Sequence, residues 1–389
     1  MLSTDHLIGR FSEQFGEAAG AELFFSPGRV NIIGEHLDYN GGLVFPAAIS
    51  LGIFAAVRKN GTNSVNIRSA GFPGAVAIPL DGEIARDAAT SWGDYPRGVI
   101  RYLRDAGHPV HGADILLEST LPGGSGLSSS ACVEVLTACI MLDPPEDASG
   151  QRADIALLCR RVENEFIGVN CGIMDQFSIA MGRAECAILL DAGTLRYEHV
   201  PLRLGSSTLV IMNTMKPRKL SDSKYNERRA ECERALEQVR RRRDVKHLAD
   251  TRLEDLEHVD DDTLKRRARH VITEQARVLE SVDVLKRGDL GSFGKLMDRS
   301  HESLRRDYEV TGTELDALVD AARASGWCLG ARMTGAGFGG CAIALVHGER
   351  VAAFREFVAR AYSGKTGLSA EFYECRIHGG AGKIARGGQ

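Results

Sequence analysis

Apolar and polar residues follow two rhythms along this chain. Short apolar runs of strand length occur at AELFF (21–25), SVNIRS (64–69), ADILLEST (113–120), CAILLD (186–191) and STLVIMN (207–213), and they predict β-strands. A longer run over 43–57 is broken by Pro46, Ser50 and Gly52 and is shorter than the ~20 residues a membrane span needs, so it reads as buried strand. Helical spacings lie between these runs. Ile155, Leu158, Cys159, Val162 and Phe166 recur at the helical period, and 128–142 reads as a second helix, opened by hydroxyls suited to an N-cap. Past residue 220 the helical rhythm dominates, over 221–243, 262–287, 289–306 and 312–325. A strand CAIALV, a helix VAAFREFVARAY and a strand AEFYECRI close the chain. The shift in composition near 205–220 predicts a boundary between a domain at 1–205 and another at 206–389.

Composition narrows the class. With 389 residues, 43% apolar and 26% charged, the chain has an ordinary globular make-up and room for two domains. A net charge of −4 argues against a nucleic-acid binder, and the basic run Arg240 to Arg243 reads as a solvated helix face beside acidic stretches. Nine cysteines show no CxxC pair and no zinc-ligand spacing, so they read as small buried side chains in a reducing compartment. The first residues carry no basic flank followed by an apolar stretch, so a cytoplasmic location is expected.

Four segments carry candidate chemistry. SPGRVNIIGEHLDYNGG (26–42) gathers Arg29, Glu35, His36 and Asp38 into a Gly-rich stretch between two strands, a density of donors and acceptors that suits a polyhydroxylated ligand. LPGGSGLSSSA (121–131) joins a strand to a helix. Its glycines let backbone approach a bound group, and amides at the helix start favour a phosphate. No GK[ST] ends it, so it is not a Walker A loop. ENEFIGVNCGIMDQF (163–177) places Glu163 and Asp175 twelve residues apart across a turn, two carboxylates that can divide labour between a metal and a nucleophile. RMTGAGFGGCAIALV (332–346) contains GxGxxG, but a strand-like run follows it instead of a helix. This excludes a dinucleotide fingerprint and fits a turn closing over a site built by the first half.

Together these segments resemble the GHMP kinases, and within them the galactokinase family, over nearly the whole chain. SWGDYPRG, SKYNERR, RRARHV and SLRRDYEV add to the match. The resemblance implies an α+β fold of two domains with the active site in the cleft between them. It implies ATP-dependent phosphorylation of α-D-galactose at the C1 hydroxyl, the first phosphorylation step of galactose catabolism. Asp175 stands at the catalytic aspartate position and Arg29 at the transition-state arginine. Glu35, His36, Asp38, Gly172 and Tyr225 stand where the family holds the sugar. Gly124, Ser125, Gly126, Leu127, Ser128, Ser129 and Ser130 match the ATP phosphate loop, and Ser69 and Trp92 fall where adenine is contacted. Ser130 and Glu163 match the Mg²⁺ ligands. KPRKLSDS, just before Tyr225, departs from the family's commonest wording. Two rival readings stay open: another kinase of the superfamily, acting on N-acetylgalactosamine or mevalonate, and a galactose sensor without catalysis.

Overall fold

A computed structural model describes residues 3–217 and 221–387. The fold is α+β. A six-stranded sheet runs in the order β13 (Gly382–Ile384), β1 (Glu22–Asn31), β3 (Pro46–Lys59), β6 (Ala113–Ser119), β4 (Ser64–Ser69) and β5 (Phe72–Pro79). All its pairings are antiparallel except β4 with β6. A four-stranded sheet follows the order β10 (Cys328–Thr334), β11 (Cys341–His347), β9 (Ser207–Asn213) and β12 (Glu371–Cys375). A three-stranded sheet is made by β2 (Leu43–Val44), β7 (Cys186–Asp191) and β8 (Tyr197–Pro201). Sheet membership changes between β8 and β9, while β13 brings the end of the chain back to pair with β1.

Among the described residues ten α-helices cover the sheets: α1 (Thr4–Phe15), α2 (Asp94–Asp105), α3 (Ser129–Leu142), α4 (Ser149–Arg161), α5 (Met174–Met181), α6 (Ser221–Arg240), α7 (Asp262–Lys286), α8 (Leu290–Ser303), α9 (Gly312–Ala324) and α10 (Val351–Thr366). Every residue of α3 from Ala131 to Met141 is buried. Buried on all sides, this helix forms the centre of the first half, packed on β1 and β3. Helix α1 buries Leu7 and Phe11, one turn apart, against Leu23, Ala56 and Leu116 of the six-stranded sheet. Helices α8, α9 and α10 pack on the four-stranded sheet, and one contiguous apolar core links the two halves.

The expected strands and helices match closely, with informative exceptions. Strand β1 continues past the AELFF run to Asn31, so Arg29 lies on a strand and only the second part of the first motif is loop. Ser128 precedes α3 in a left-handed conformation (φ 65°) and makes no cap hydrogen bond, contrary to the N-cap reading. The helical stripe ends in a π-helical turn, Val162–Ile167, which carries Glu163. A second such turn, Leu304–Tyr308, ends the stretch expected as helix to 306. The basic run begins at Arg240, the last residue of α6, and continues beyond it; Arg240, Arg241 and Arg242 are exposed and Arg243 pairs with Asp255. Of KPRKLSDS, Arg218, Lys219 and Leu220 lie outside the described residues. Among the described residues no helix is long and apolar enough to cross a membrane.

Candidate active site

The site begins with an irregularity between β1 and β3. Their register slips between Pro27, opposite Gly52, and Arg29, opposite Ala48, so Gly28 alone faces three residues of β3, which carries the bulge. Gly28 stands opposite this bulge, where the phosphate loop presses on it. A Cβ there would fall 2.6 Å from the Leu121 side chain and 3.0 Å from the Leu127 carbonyl. The bulge directs Arg29, 5% exposed, toward Asp175 at the start of α5. Its Nε donates to Asp175 Oδ1 and its Nη2 to Oδ2, both at 2.7 Å, and its Nη1 donates to the Gly126 carbonyl at 2.9 Å. Burial works against the guanidinium charge, but the Asp175 carboxylate and Glu35 outweigh it and hold Arg29 above its ordinary pKa. The Ser128 hydroxyl also donates to Asp175 Oδ2, at 2.5 Å. Its left-handed backbone therefore aims a hydroxyl at Asp175 instead of capping α3. Three donors thus fix a carboxylate whose side chain remains 30% exposed.

The loop after β1 holds the other acids. Glu35 is 1% exposed, taking the Asn31 side-chain amide on Oε2 (2.8 Å) and the Gly335 N–H on Oε1 (2.7 Å), with Arg332 Nη1 at 3.5 Å. Burial pushes its carboxyl up and Arg332 opposes the shift. His36 has φ 63° and meets the Tyr39 hydroxyl through Nδ1 at 2.8 Å. Its ring lies among those of Tyr39, Tyr225 and Tyr308, and burial lowers its pKa to about 3, so the imidazole is neutral. Asp38 is pushed up to about 7, first by burial and then by the nearby Asp175 carboxylate. Gly172 makes room for it: a Cβ there would fall 1.9 Å from Asp38 Oδ2. Burial and Asp38 hold the Tyr225 hydroxyl well above its usual range, so it stays protonated.

Beyond Arg29 lies the phosphate loop. Gly124 and Gly126 have positive φ, and α3 leaves from Ser129. The Ser130 hydroxyl lies against the Glu163 carboxyl, which also takes Gln176 Nε2 at 2.5 Å on Oε2. Glu163 is raised by burial and by Asp175, while Glu134, wholly buried on α3, is raised well above the usual range by burial and by Glu163. Among the described residues no cation forms an ion pair with Glu163, and no group of three His, Cys, Asp or Glu side chains is assembled for a metal. The Gly-rich turn between β10 and β11 closes on this loop from the second half, where a Cβ on Gly335 would meet the Gly126 carbonyl at 3.3 Å.

Residues 9–59 match the galactokinase galactose-binding signature, residues 94–183 the N-terminal domain of GHMP kinases and residues 281–364 their C-terminal domain. The chain is 46% identical to a galactokinase of Enterococcus faecalis over 97% of its own length and 99% of that protein. It is 48% identical to one from Streptococcus mutans, over 99% and 100% of the two lengths. The chain belongs to the galactokinase family. Its structure superposes on the crystal structure of Lactococcus lactis galactokinase complexed with galactose, with a TM-score of 0.92 and 43% identity over 98% of this chain and 99% of that one.

In this galactokinase-family fold, fifteen of the seventeen candidate side chains and loop positions named from sequence gather around Arg29 and the two loops; Ser69 and Trp92 lie farther along the six-stranded sheet. Strand β4 pairs with β6 up to Ser69, opposite Leu117, and β6 then leads into the phosphate loop. Trp92 stacks on Phe72 at 5.6 Å and 13°, and Phe72 is an exposed aromatic that sequence reasoning missed. Its signal was faint, since Phe72 opens the proline- and glycine-containing strand β5. Asn31, Gln176 and Arg332 were also missed as partners of the acids, although each lies within or beside a quoted motif.

Proposed function

We propose that this chain transfers the γ-phosphoryl group of ATP to the C1 hydroxyl of α-D-galactose, giving galactose 1-phosphate and ADP. One observation carries the reading: the Asp175 carboxylate, pinned by Arg29 and Ser128, stands between an acid-lined polar loop and a phosphate loop. A carboxylate offers about four acceptor positions, and three are taken, so one is left for a substrate hydroxyl. The galactose carried by the Lactococcus lactis relative would occupy the pocket of Glu35, His36, Asp38, Gly172 and Tyr225.

Phosphoryl transfer asks a protein mainly for positioning and charge stabilisation. Asp175 accepts the C1 hydroxyl proton as that oxygen attacks. Arg29 keeps the carboxylate oriented, and its fixed charge stabilises the transferring group. Amides of Gly124 to Ser130 and the start of α3 receive the β- and γ-phosphates, while Ser69 and Trp92 border the adenine. Ser130 and Glu163 supply hard oxygen donors for Mg²⁺. The pairing of buried Glu163 with two further carboxylates and, among the described residues, no basic partner fits a cation there. When bound, Mg²⁺ neutralises phosphate charge. The first domain, 1–205, contributes the sugar loop, phosphate loop and Asp175, and the second, 206–389, closes on them. Nine free cysteines support a reducing compartment, which we take to be the cytoplasm.

A coupled ADP-release assay over galactose, glucose, N-acetylgalactosamine and mevalonate tests this. Galactose should exceed glucose in kcat/KM by about 10⁴-fold, because buried groups that pair with an axial C4 hydroxyl are left unpaired by the equatorial one. Comparable values for the two epimers overturn the substrate assignment. ADP release with none of the four restores the sensor reading.

A further inference from the structure

We infer that Arg332 is a positioning residue for the sugar loop: reaching across from β10, it fixes Glu35 and the backbone at Asn31 in the arrangement that receives the sugar, an inference that rests on the galactose reading above. Arg332 is 0% exposed and heads the largest side chains buried in the molecule. Its Nη1 donates to the Asn31 carbonyl at 2.9 Å and to the Ile32 carbonyl at 3.3 Å, and it lies 3.5 Å from Glu35 Oε1. Its Nε donates to Ser300 Oγ on α8 at 3.1 Å. Two residues on, the Thr334 hydroxyl accepts the Asn31 N–H and donates to the Asn31 carbonyl, both at 3.1 Å. Ser300 Oγ in turn donates to Glu274 Oε1 on α7 (2.7 Å), the same oxygen that accepts the Gly34 N–H at 3.0 Å. Groups from β10, α8 and α7 therefore clasp residues 31–35 from the second half of the chain.

Filling this space does not require a charge. A wholly buried guanidinium costs more to desolvate than apolar packing of the same volume, and its return is directional bonding. Here the Nη1 bonds end on the loop that presents Glu35, and Nε is anchored on Ser300 of α8, so Arg332 acts through Glu35. The groups facing Glu35 are Arg332 from β10, Arg29 and Asn31 from β1, the Gly335 N–H, and Asp38 from its own loop. From α7, His270 Nε2 meets the Glu35 carbonyl at 3.1 Å, and Glu274 lies beyond it. Arg29 is already committed to Asp175. Without Arg332, burial dominates and Glu35 holds its proton to higher pH.

The test measures KM for galactose and for ATP from pH 6 to 8 in the intact enzyme, with thermal melts as a check on folding. In Arg332→Met the galactose KM should rise about 10-fold or more toward pH 6, with ATP KM within about 2-fold of wild type, because only the sugar loop loses its partner. Arg332→Lys keeps the charge but not the fork, so its profile should resemble that of wild type while galactose KM rises roughly 5-fold at every pH. Unchanged galactose KM in both variants, or equal changes for the two substrates with no pH dependence, overturns the inference and leaves Arg332 a core residue. Should Arg332→Met fail to fold, a wild-type galactose KM in Arg332→Lys overturns it alone. A wild type that binds no galactose removes the galactose reading and this inference together.

Discussion

Replacing Asp175 by asparagine keeps the shape of the side chain and removes its charge and one acceptor. The carboxylate now takes Arg29 Nε on Oδ1 and shares Oδ2 between Arg29 Nη2 and Ser128. In the amide, Oδ1 keeps Arg29 Nε, while Nδ2 faces a guanidinium N–H that it cannot accept. The Ser128 hydroxyl can rotate to accept from Nδ2, so the net loss is one charge-assisted bond and the neutralisation of a buried arginine. Breaking a buried ion pair costs about 3–5 kcal/mol. The 30% exposure of the Asp175 side chain screens the charge, which brings the expected destabilisation to about 2–3 kcal/mol. The effect on turnover should be separate and larger. Loss of the proton acceptor lowers kcat about 10²–10⁴-fold, or about 2.7–5.5 kcal/mol of barrier. Galactose binding should persist within several-fold, since Glu35, His36 and Asp38 are untouched. Calorimetry with galactose, a coupled ADP-release assay and a thermal melt on the same preparation separate the three effects. A folded variant that binds galactose and turns over within about 3-fold of wild type would refute Asp175 as the proton acceptor.

Three further outcomes follow from the geometry. Glu163→Gln should shift the Mg²⁺ dependence of activity about 10-fold toward higher concentration while leaving galactose affinity within about 2-fold, because an amide is a poor ligand for a hard cation; an unchanged Mg²⁺ curve reduces Glu163 to a buried structural acid. Gly172→Ala places a methyl 1.9 Å from Asp38 Oδ2 and must displace that carboxylate, so galactose KM should rise about 10-fold or more with ATP KM little changed; equal effects on both substrates count against Asp38 as a sugar contact. Asp38 itself has its carboxyl raised from 3.8 to about 7 by burial and by Asp175. Between those values the folded chain keeps a proton that the unfolded chain has released. The contribution of Asp38 to stability therefore falls as pH rises through this window, and its cost is complete above about pH 7. Asp38→Asn should raise Tm at pH 8 by roughly 1–2 °C for each kcal/mol recovered, with a smaller shift at pH 4; equal shifts at the two pH values exclude the titration.

Much of this molecule was legible in the sequence because its strands and helices carry their periods locally. SVNIRS, CAILLD and STLVIMN are observed as strands with the bounds expected. The elements that were missed did not all lack a period: α1 buries Leu7 and Phe11 and α2 buries Val99, Ile100 and Leu103 at helical spacing, while others had little to read. Strand β5 contains Pro73 and Gly74 and alternates weakly at a sheet edge, where proline is tolerated. Helix α2 carries Pro96 in its first turn and Gly98 after it. Helix α5 has eight residues and is buried from Gln176 to Met181, so no polar face marks it as a helix.

The chemistry of the site divides in the same way. Residue types packed into short motifs were visible at once: Glu35, His36 and Asp38 in one loop, the glycines and serines of another, and Asp175 in CGIMDQF. Which atoms meet was not. Arg29 and Asp175 are 146 residues apart and Glu35 and Arg332 are 297 apart, and each pair meets only because a bulged strand, a central helix and a hairpin from the second half pack onto one another. Ser128 shows the limit most plainly. As a serine before a helix it is indistinguishable from an N-cap, and only its left-handed backbone turns its hydroxyl toward Asp175. Local sequence determines which side chains are present and how the backbone near them is paced. The convergence of charges on one carboxylate is decided by long-range packing, whose energy comes from burying apolar faces far along the chain from the residues they bring together.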